Sequence, residues 1–433
     1  MRILLSSENF DAFGGMETYT QTVAQELMRL GHQAAIFTPR GGTMAELTRR
    51  QAIPVLDREK LPDSCDAVVA QDAATSHELK ARYPEAVRVL VAHSRDHVLH
   101  EVPQLPEVCH GVVVLNDRVG RWVQARAWHP QLTRLRQPIA LSRYSDLEPP
   151  RPRPRRVLVM TNYVSGPRGQ LIQEACREAG YEASWIGATT RPSASPERAL
   201  AEADIVIGLG RSVLEAMAAG RAAYVYGVVG GGGWVTPESY SQLEADGFAG
   251  LTDGRPVTVA RMASELRQWR PDMGEANRDL ASVHHSARTH AVELVNLVRR
   301  LGEQRTPAPA GDSVAATMPL AAEELARLLR LEWQMYERAM KTVLEANDLR
   351  AERDRHEASA EDAIARVAAL DRELQGANAR VASLDEHLRQ AEARVAELDT
   401  QLQGVLATRR YRLAVRVASP IDTLRARLKT RSP

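Results

Sequence analysis

Along residues 1–303, short apolar runs alternate with helical patterns, stop, and begin again; no other feature constrains the fold as strongly. Arg2 to Ser7 reads as a buried strand. Glu17 to Leu30 follows with Val23, Leu27 and Leu30 at helical spacing, and Gly31 ends it. Ala34 to Pro39, Ala67 to Ala70, Val87 to Ala92 and Val112 to Leu115 read as further strands. Strands that alternate with helices imply a parallel sheet covered on both faces. A Pro/Arg-rich break from Pro149 to Pro154 interrupts the rhythm. It restarts with strands at Arg156 to Thr161, Ala183 to Gly187, Asp204 to Leu209 and Ala222 to Tyr226. Helices are expected at Gln170 to Ala179 and Ser212 to Ala219, and a late one with Leu280, Val283, Ala287, Ala291, Leu294 and Val298 on one face. The expected fold class is therefore α/β, with two Rossmann-like domains at residues 1–148 and 155–303.

The rest of the chain is of another kind. Residues 304–318, rich in Pro, Ala, Gly and Thr, read as a linker. From 319 to 407 Gly and Pro almost vanish and charges abound. Ala365 to Asp371 returns at Ala379 to Asp385 and at Ala393 to Asp399, a 14-residue repeat. Val367, Leu370, Leu374, Ala377, Val381, Leu384, Leu388, Ala391, Val395, Leu398, Leu402 and Val405 keep a 3–4 spacing, a heptad seam that predicts an α-helical coiled coil and a homodimer. A single solvated helix is the other reading. Residues 408–433 form a basic tail in which Leu413, Val417, Ile421, Leu424 and Leu428 make one apolar stripe among arginines. Such a helix suits an anionic membrane surface or the face of a protein partner.

Bulk charge excludes little: 56 Lys and Arg stand against 55 Asp and Glu, net +1, which offers no global case for nucleic acid. The basic tail is not interleaved with aromatics, which argues against a nucleic-acid partner there too. Cys65, Cys109 and Cys176 are far apart and lack metal-ligand spacing, so free thiols and no metal are expected. The apolar run after Met1 is too short for a signal peptide, and no apolar stretch approaches the ~20 residues of a membrane span. The expected location is the cytoplasm, with peripheral contact at the inner membrane face through the tail.

Two glycine turns could carry chemistry. Phe13-Gly14-Gly15-Met16-Glu17-Thr18 lies between the first strand and helix. Two glycines let a ligand approach the backbone, and the helix start offers unpaired N–H groups to a phosphate. A plain tight turn would look the same, and the three spaced glycines of a dinucleotide site are absent. Ile207-Gly208-Leu209-Gly210-Arg211-Ser212-Val213-Leu214-Glu215 is a strand end, a turn and a helix start, the place where open α/β sheets bind ligands. Ser212 as N-cap with Glu215 three residues on also reads as a capping box. A third stretch, Gly230 to Pro237, reads either as a mobile loop whose Trp234 could stack on a sugar or base, or as a hinge.

"GGMETYTQTVAQELMRLGH" and "GLGRSVLEAMAAG" resemble the first loop-helix and the donor-site motif of glycosyltransferases of family 4 and their relatives in the GT-B fold. Arg136-Gln137-Pro138-Ile139-Ala140-Leu141-Ser142-Arg143-Tyr144 resembles the segment that closes their N-terminal domain. The resemblance covers about residues 1–300 and implies sugar transfer from a nucleotide-diphosphate sugar, bound as a substrate and not a cofactor, to a glycan or lipid-linked acceptor. It implies that Gly14 and Gly15 line the cleft, that Gly208, Gly210 and Ser212 approach the donor, that Glu215 accepts hydrogen bonds from the ribose, and that His93 is a cleft histidine. His93 has neighbours in His97 and His100, and a surface cluster is the alternative. The family's first donor-site glutamate is Ile207 here, and its basic pair has no clean match; Arg168 and Arg211 are the available cations. A non-catalytic scaffold that assembles partners through the coiled coil is the rival reading.

Overall fold

The computed structural model describes residues 1–304 except 95–99, 104–107, 126–130, 163, 165, 188–194, 228–230 and 252–256, and short helical stretches between 328 and 401. It divides into two compact units, Met1–Trp333 and Gln334–Pro433.

The first unit begins with a seven-stranded parallel sheet. Its strands are β1 (Arg2–Ser6), β3 (Gln33–Phe37), β5 (Val55–Leu56), β6 (Ala67–Ala70), β7 (Val87–Ala92), β8 (Gly111–Val114) and β9 (Leu132–Arg134), ordered β5-β3-β1-β6-β7-β8-β9. A two-residue parallel pair, β2 (Asn9–Phe10) with β4 (Arg40–Gly41), stands apart. Side chains alternate across the sheet. Ile3, Leu5, Val69, Val89 and Val113 face α1 (Gly15–Arg29), α2 (Thr43–Arg50) and α11 (Ala287–Glu303) in one core. Leu4, Val68, Leu90, Val112 and Val114 face α3 (Ala73–Arg82) and α4 (Asp117–Gln124) in another. Burial on both faces is the reason the strands read as continuous apolar runs.

A second sheet joins β10 (Arg156–Met160), β11 (Glu182–Ile186), β12 (Ile205–Gly208), β13 (Ala222–Tyr226) and β14 (Gly231–Trp234) in the order β11-β10-β12-β13-β14, with β14 antiparallel. Leu158, Val206, Ala223 and Val225 pack with α6 (Pro196–Glu202), α7 (Arg211–Ala218), α8 (Pro237–Ala245) and α10 (Met273–His284). Val157, Val159, Ile205 and Ile207 pack with α5 (Gly166–Ala179) and α9 (Val259–Leu266).

Three sequence readings are revised. The late helix is two helices, because His285 ends α10 and the Ser286 hydroxyl caps the N-terminus of α11; Val283 is left 74% exposed. The apolar face of α11 then joins the core of the first sheet, so the chain returns to its first half. Gly231 to Trp234 is an edge strand and not a loop. Trp234 meets Tyr224 edge-on at 5.3 Å, and its indole N–H donates to the Glu265 carbonyl at 2.8 Å, so it packs, partly buried, against the core. A Cβ at Gly232 would lie 2.7 Å from the end of the Leu243 side chain and 3.1 Å from Val225, so a larger residue there would require those side chains to shift.

All three cysteines are free thiols; burial pushes each up to about 12, so Cys109 and Cys176 are inert core residues. Among the described residues no helix is long and apolar enough to cross a membrane. In the second unit, residues 380–387 are helical, with Val381 and Leu384 partly shielded and the others exposed. The remaining seam positions and the whole 409–431 stripe lie outside the described residues.

Candidate functional site

In an open α/β sheet the strand order reverses at one point, and the crevice at the carboxyl ends of the strands beside it is the natural ligand site. The first sheet reverses between β1 and β6, the second between β10 and β12. Each glycine turn singled out in the sequence follows one of these strands.

At the first reversal, the Asp72 carboxylate organises the loops. It caps α3 by accepting from the Thr75 backbone N–H at 2.8 Å, and accepts from the Glu8 backbone N–H at 2.7 Å. Burial raises its pKa while these bonds to the charged form pull it back. Next to it, the Gln71 amide nitrogen donates to the Val69 carbonyl at 3.1 Å, which leaves Oε1 to accept from His93 Nε2–H at 2.7 Å. That pairing assigns the His93 tautomer, with Nδ1 bearing the lone pair. Burial, aided by His100, His290 and Arg211, holds the ring well below the usual histidine range. His93 is a neutral base, half-buried and edge-on to Tyr19 at 4.9 Å.

Gly14 is the N-cap of α1. A side chain there would collide with the Glu17 carboxylate, which folds back over the first helical turn. The seat that sequence reasoning gave to a phosphate thus holds a carboxyl of the same chain. Burial raises its pKa to about 7, against the pull of its own backbone N–H. Gly15 lies across from α7, its missing Cβ 4.0 Å from Arg211 Cβ.

At the second reversal, Gly208 leaves room for the Met160 carbonyl, 2.9 Å from where a Cβ would be, and for Ser212. Gly210 adopts φ +56°, a left-handed value that favours glycine, and is itself the N-cap of α7. No side chain caps this helix, so the capping box expected from Ser212 and Glu215 is not formed; Ser212 lies inside the first turn. Glu215 is 4% exposed and accepts from Arg211 Nε at 3.1 Å. The Tyr144 hydroxyl is buried, feels the charge of Glu215, and has no hydrogen-bond partner among the described residues. Arg168 is exposed in the first turn of α5, close enough to Tyr226 to influence its titration.

Arg211 joins the halves. Beyond Glu215, it donates to the Pro138 carbonyl at 3.0 Å and to Thr22 Oγ1 of α1 at 3.4 Å. The same crossing is clamped by two histidines that the sequence reading did not single out. His285 Nδ1–H donates to the Gln137 carbonyl at 2.8 Å, and its Nε2 accepts from the Tyr240 hydroxyl at 2.9 Å. His290 Nδ1–H donates to the Arg136 carbonyl at 2.9 Å, and its Nε2 accepts from the Tyr19 hydroxyl at 2.8 Å. Burial lowers them to about 3 and about 4 respectively, so both stay neutral. Ion pairs of Arg134 with Glu244 at 2.6 Å and Arg118 with Asp246 at 3.4 Å fasten the far edge. Among the described residues no group of three or more His, Cys, Asp or Glu could hold a metal ion.

No protein-family model and no curated protein matches the chain. Among solved structures, a mutant of S. aureus TarM in complex with fondaparinux, α-GlcNAc-glycerol and UDP aligns over 69% of this chain and 100% of that one, with TM-score 0.51 and 9% identity. AviGT4, a glycosyltransferase involved in avilamycin A biosynthesis, covers 70% of this chain and 99% of its own, with TM-score 0.46 and 14% identity. The lipopolysaccharide outer core galactosyltransferase WaaB covers 69% and 99%, with TM-score 0.43 and 13% identity. The TarM likeness is one of fold: mixed α/β, with parallel sheets, in the GT-B arrangement.

Proposed function

We propose that this protein transfers a sugar from a nucleoside-diphosphate donor to a hydroxyl of a glycan or lipid-linked acceptor. The observation that carries the reading is the pairing of two sheet reversals, one with Gly14, Gly15 and His93, the other with Gly208, Gly210, Ser212 and Glu215. The donor binds at the second reversal, where Glu215 takes two ribose hydroxyls, and the acceptor at the first. His93, neutral with a free Nδ1 lone pair, suits an incoming hydroxyl better than a charged imidazole would. The departing diphosphate needs cations or N–H groups as charge develops. Arg168 and the starts of α5 and α7 supply them. Arg211 is held by Glu215, Pro138 and Thr22, which makes it a strut first and a phosphate ligand only after rearrangement. In the same reading, the coiled coil pairs two copies and the basic tail holds them at an anionic membrane face.

UDP, present in the TarM structure, is the first probe. Calorimetry is expected to show UDP binding that Glu215→Gln weakens about tenfold or more. The amide oxygen of Gln still accepts from Arg211, so the melting temperature stays close to wild type. Normal UDP affinity in the variant would remove Glu215 from the donor site. Absence of binding by the wild type to UDP and to other nucleoside diphosphates would leave the scaffold reading, which the isoleucine at position 207 and the engaged Arg211 favour.

A further inference from the structure

Beyond the linker, residues 328–330 are helical and belong to the same compact unit as the two sheets. Arg330 enters the first crevice. Its Nε–H donates to Glu8 Oε2 at 2.9 Å, and a terminal nitrogen pairs with the Glu78 carboxylate. Glu8 stands two residues past β1, and Glu78 lies on α3, the helix whose Asp72 cap follows β6. The guanidinium therefore sits at the carboxyl edge, beside the strand reversal. Arg58 holds Glu78 from the other side, at 2.7 and 3.0 Å. Glu8 is 3% exposed and adjoins Asp72, so without Arg330 it would be a buried carboxylate beside another acid. Such a group is strongly unfavourable unless paired or protonated. Burial and Asp72 raise Glu8 to about 7, while Arg330 lowers it. Arg330 divides its donors between two carboxylates, so the seat and its occupant match in charge.

We propose that the segment around Arg330 is a strap that docks on its own chain, with Glu8 and Glu78 as its seat, and closes the first crevice until an incoming molecule displaces it. Describing that molecule as the sugar acceptor rests on the function proposed above; the docking itself does not. The 305–327 stretch that precedes the strap is long enough to span about 80 Å if fully extended, ample to reach back from the end of α11.

The test is hydrogen exchange on the full chain, comparing wild type with Arg330→Gln, Glu8→Gln and the double variant. Peptides covering 328–333 and 7–12 are expected to exchange about tenfold faster in Arg330→Gln and by less in Glu8→Gln, which keeps the Glu78 pair; the double variant exchanges no faster than Arg330→Gln, since loss of Arg330 already removes both pairs. Equal exchange of 328–333 in wild type and Arg330→Gln would overturn the proposal, as would additive effects. Protection that disappears on dilution would also overturn it, by showing that the strap comes from a second copy. UDP calorimetry on wild type and Arg330→Gln separates the two claims. Affinity is expected to be the same in both; if neither binds UDP, sugar transfer fails as the function while the exchange result still decides the strap.

Discussion

The histidine clamp should make the joint between the halves sensitive to acid, and His290→Gln isolates the effect. His290 is 3% exposed and bridges the Arg136 carbonyl of the crossing to the Tyr19 hydroxyl of α1. The groups facing it are Tyr19, the Arg136 carbonyl and His93, whose own burial keeps it neutral. Its pKa falls from 6.5 in a model compound to about 4 in the folded chain, with burial the main cause. Between these values the unfolded chain binds a proton that the folded chain does not, so stability declines as pH falls. At about 1.4 kcal/mol per unit, and allowing for partial titration at both ends, going from about pH 6.5 to about pH 4.5 costs about 2 kcal/mol at this one residue. Whole-protein acid stability is the wrong readout. Glu8 and Glu17, each raised to about 7, take up protons in the folded state first and so gain stability over part of the same range. The difference between two chains removes them. Gln at position 290 can still donate to Arg136 and accept from Tyr19, but does not titrate. Urea unfolding of wild type and His290→Gln should show a stability gap at neutral pH that narrows by about 2 kcal/mol at about pH 4.5. A gap constant to within about 0.5 kcal/mol across that range would refute the burial argument for His290.

Two further predictions concern the C-terminal regions. Val at 367, 381 and 395 with Leu at 370, 384 and 398 favours a parallel two-stranded coil, so a single cysteine at Leu370 should cross-link to its own counterpart; joining only to a cysteine at Leu398 would mean antiparallel helices. The tail should carry the full chain to the top of a flotation gradient with anionic liposomes, and a chain ending at Gln403 should stay behind, since each basic residue near such a surface contributes about 1 kcal/mol. Binding by the full chain that ignores salt and anionic lipid would assign the tail to protein partners.

Much of the scaffold was legible because its signals are local. A strand buried on both faces must be apolar throughout, and nearly every strand read from Arg2 to Tyr226 stands within one or two residues of its expected place. The glycines at 14 and 208 were legible as turns for the same reason, since what each accommodates lies at most a few residues away or on the adjoining strand, and Gly210 because its positive φ is a demand of the local backbone. Ser212 was misread because the capping motif depends on where the helix starts, and Gly210, with its positive φ, caps it two residues earlier. Trp234 was misread because four glycines suggest a loop until β13 offers an edge to pair with.

What the amino-acid sequence determined by itself was the alternation of strands and helices, the break at Pro149 to Pro154, and the two turns that follow β1 and β12. Each is set by neighbours in the chain, through periodicity and backbone freedom. Only the tertiary structure decided that α11 returns to the first sheet, that Arg211 spends its donors on Glu215, Pro138 and Thr22, that His285 and His290 clamp the crossing, and that Arg330 enters the crevice beside Glu8. Apart from the Arg211–Glu215 pair within one helix, these contacts join residues 73 to 322 positions apart. A buried histidine or arginine carries no local pattern that names its partner. Its hydrogen bonds follow from the need to satisfy a buried polar group, and which group lies within reach is known only once the sheets have packed.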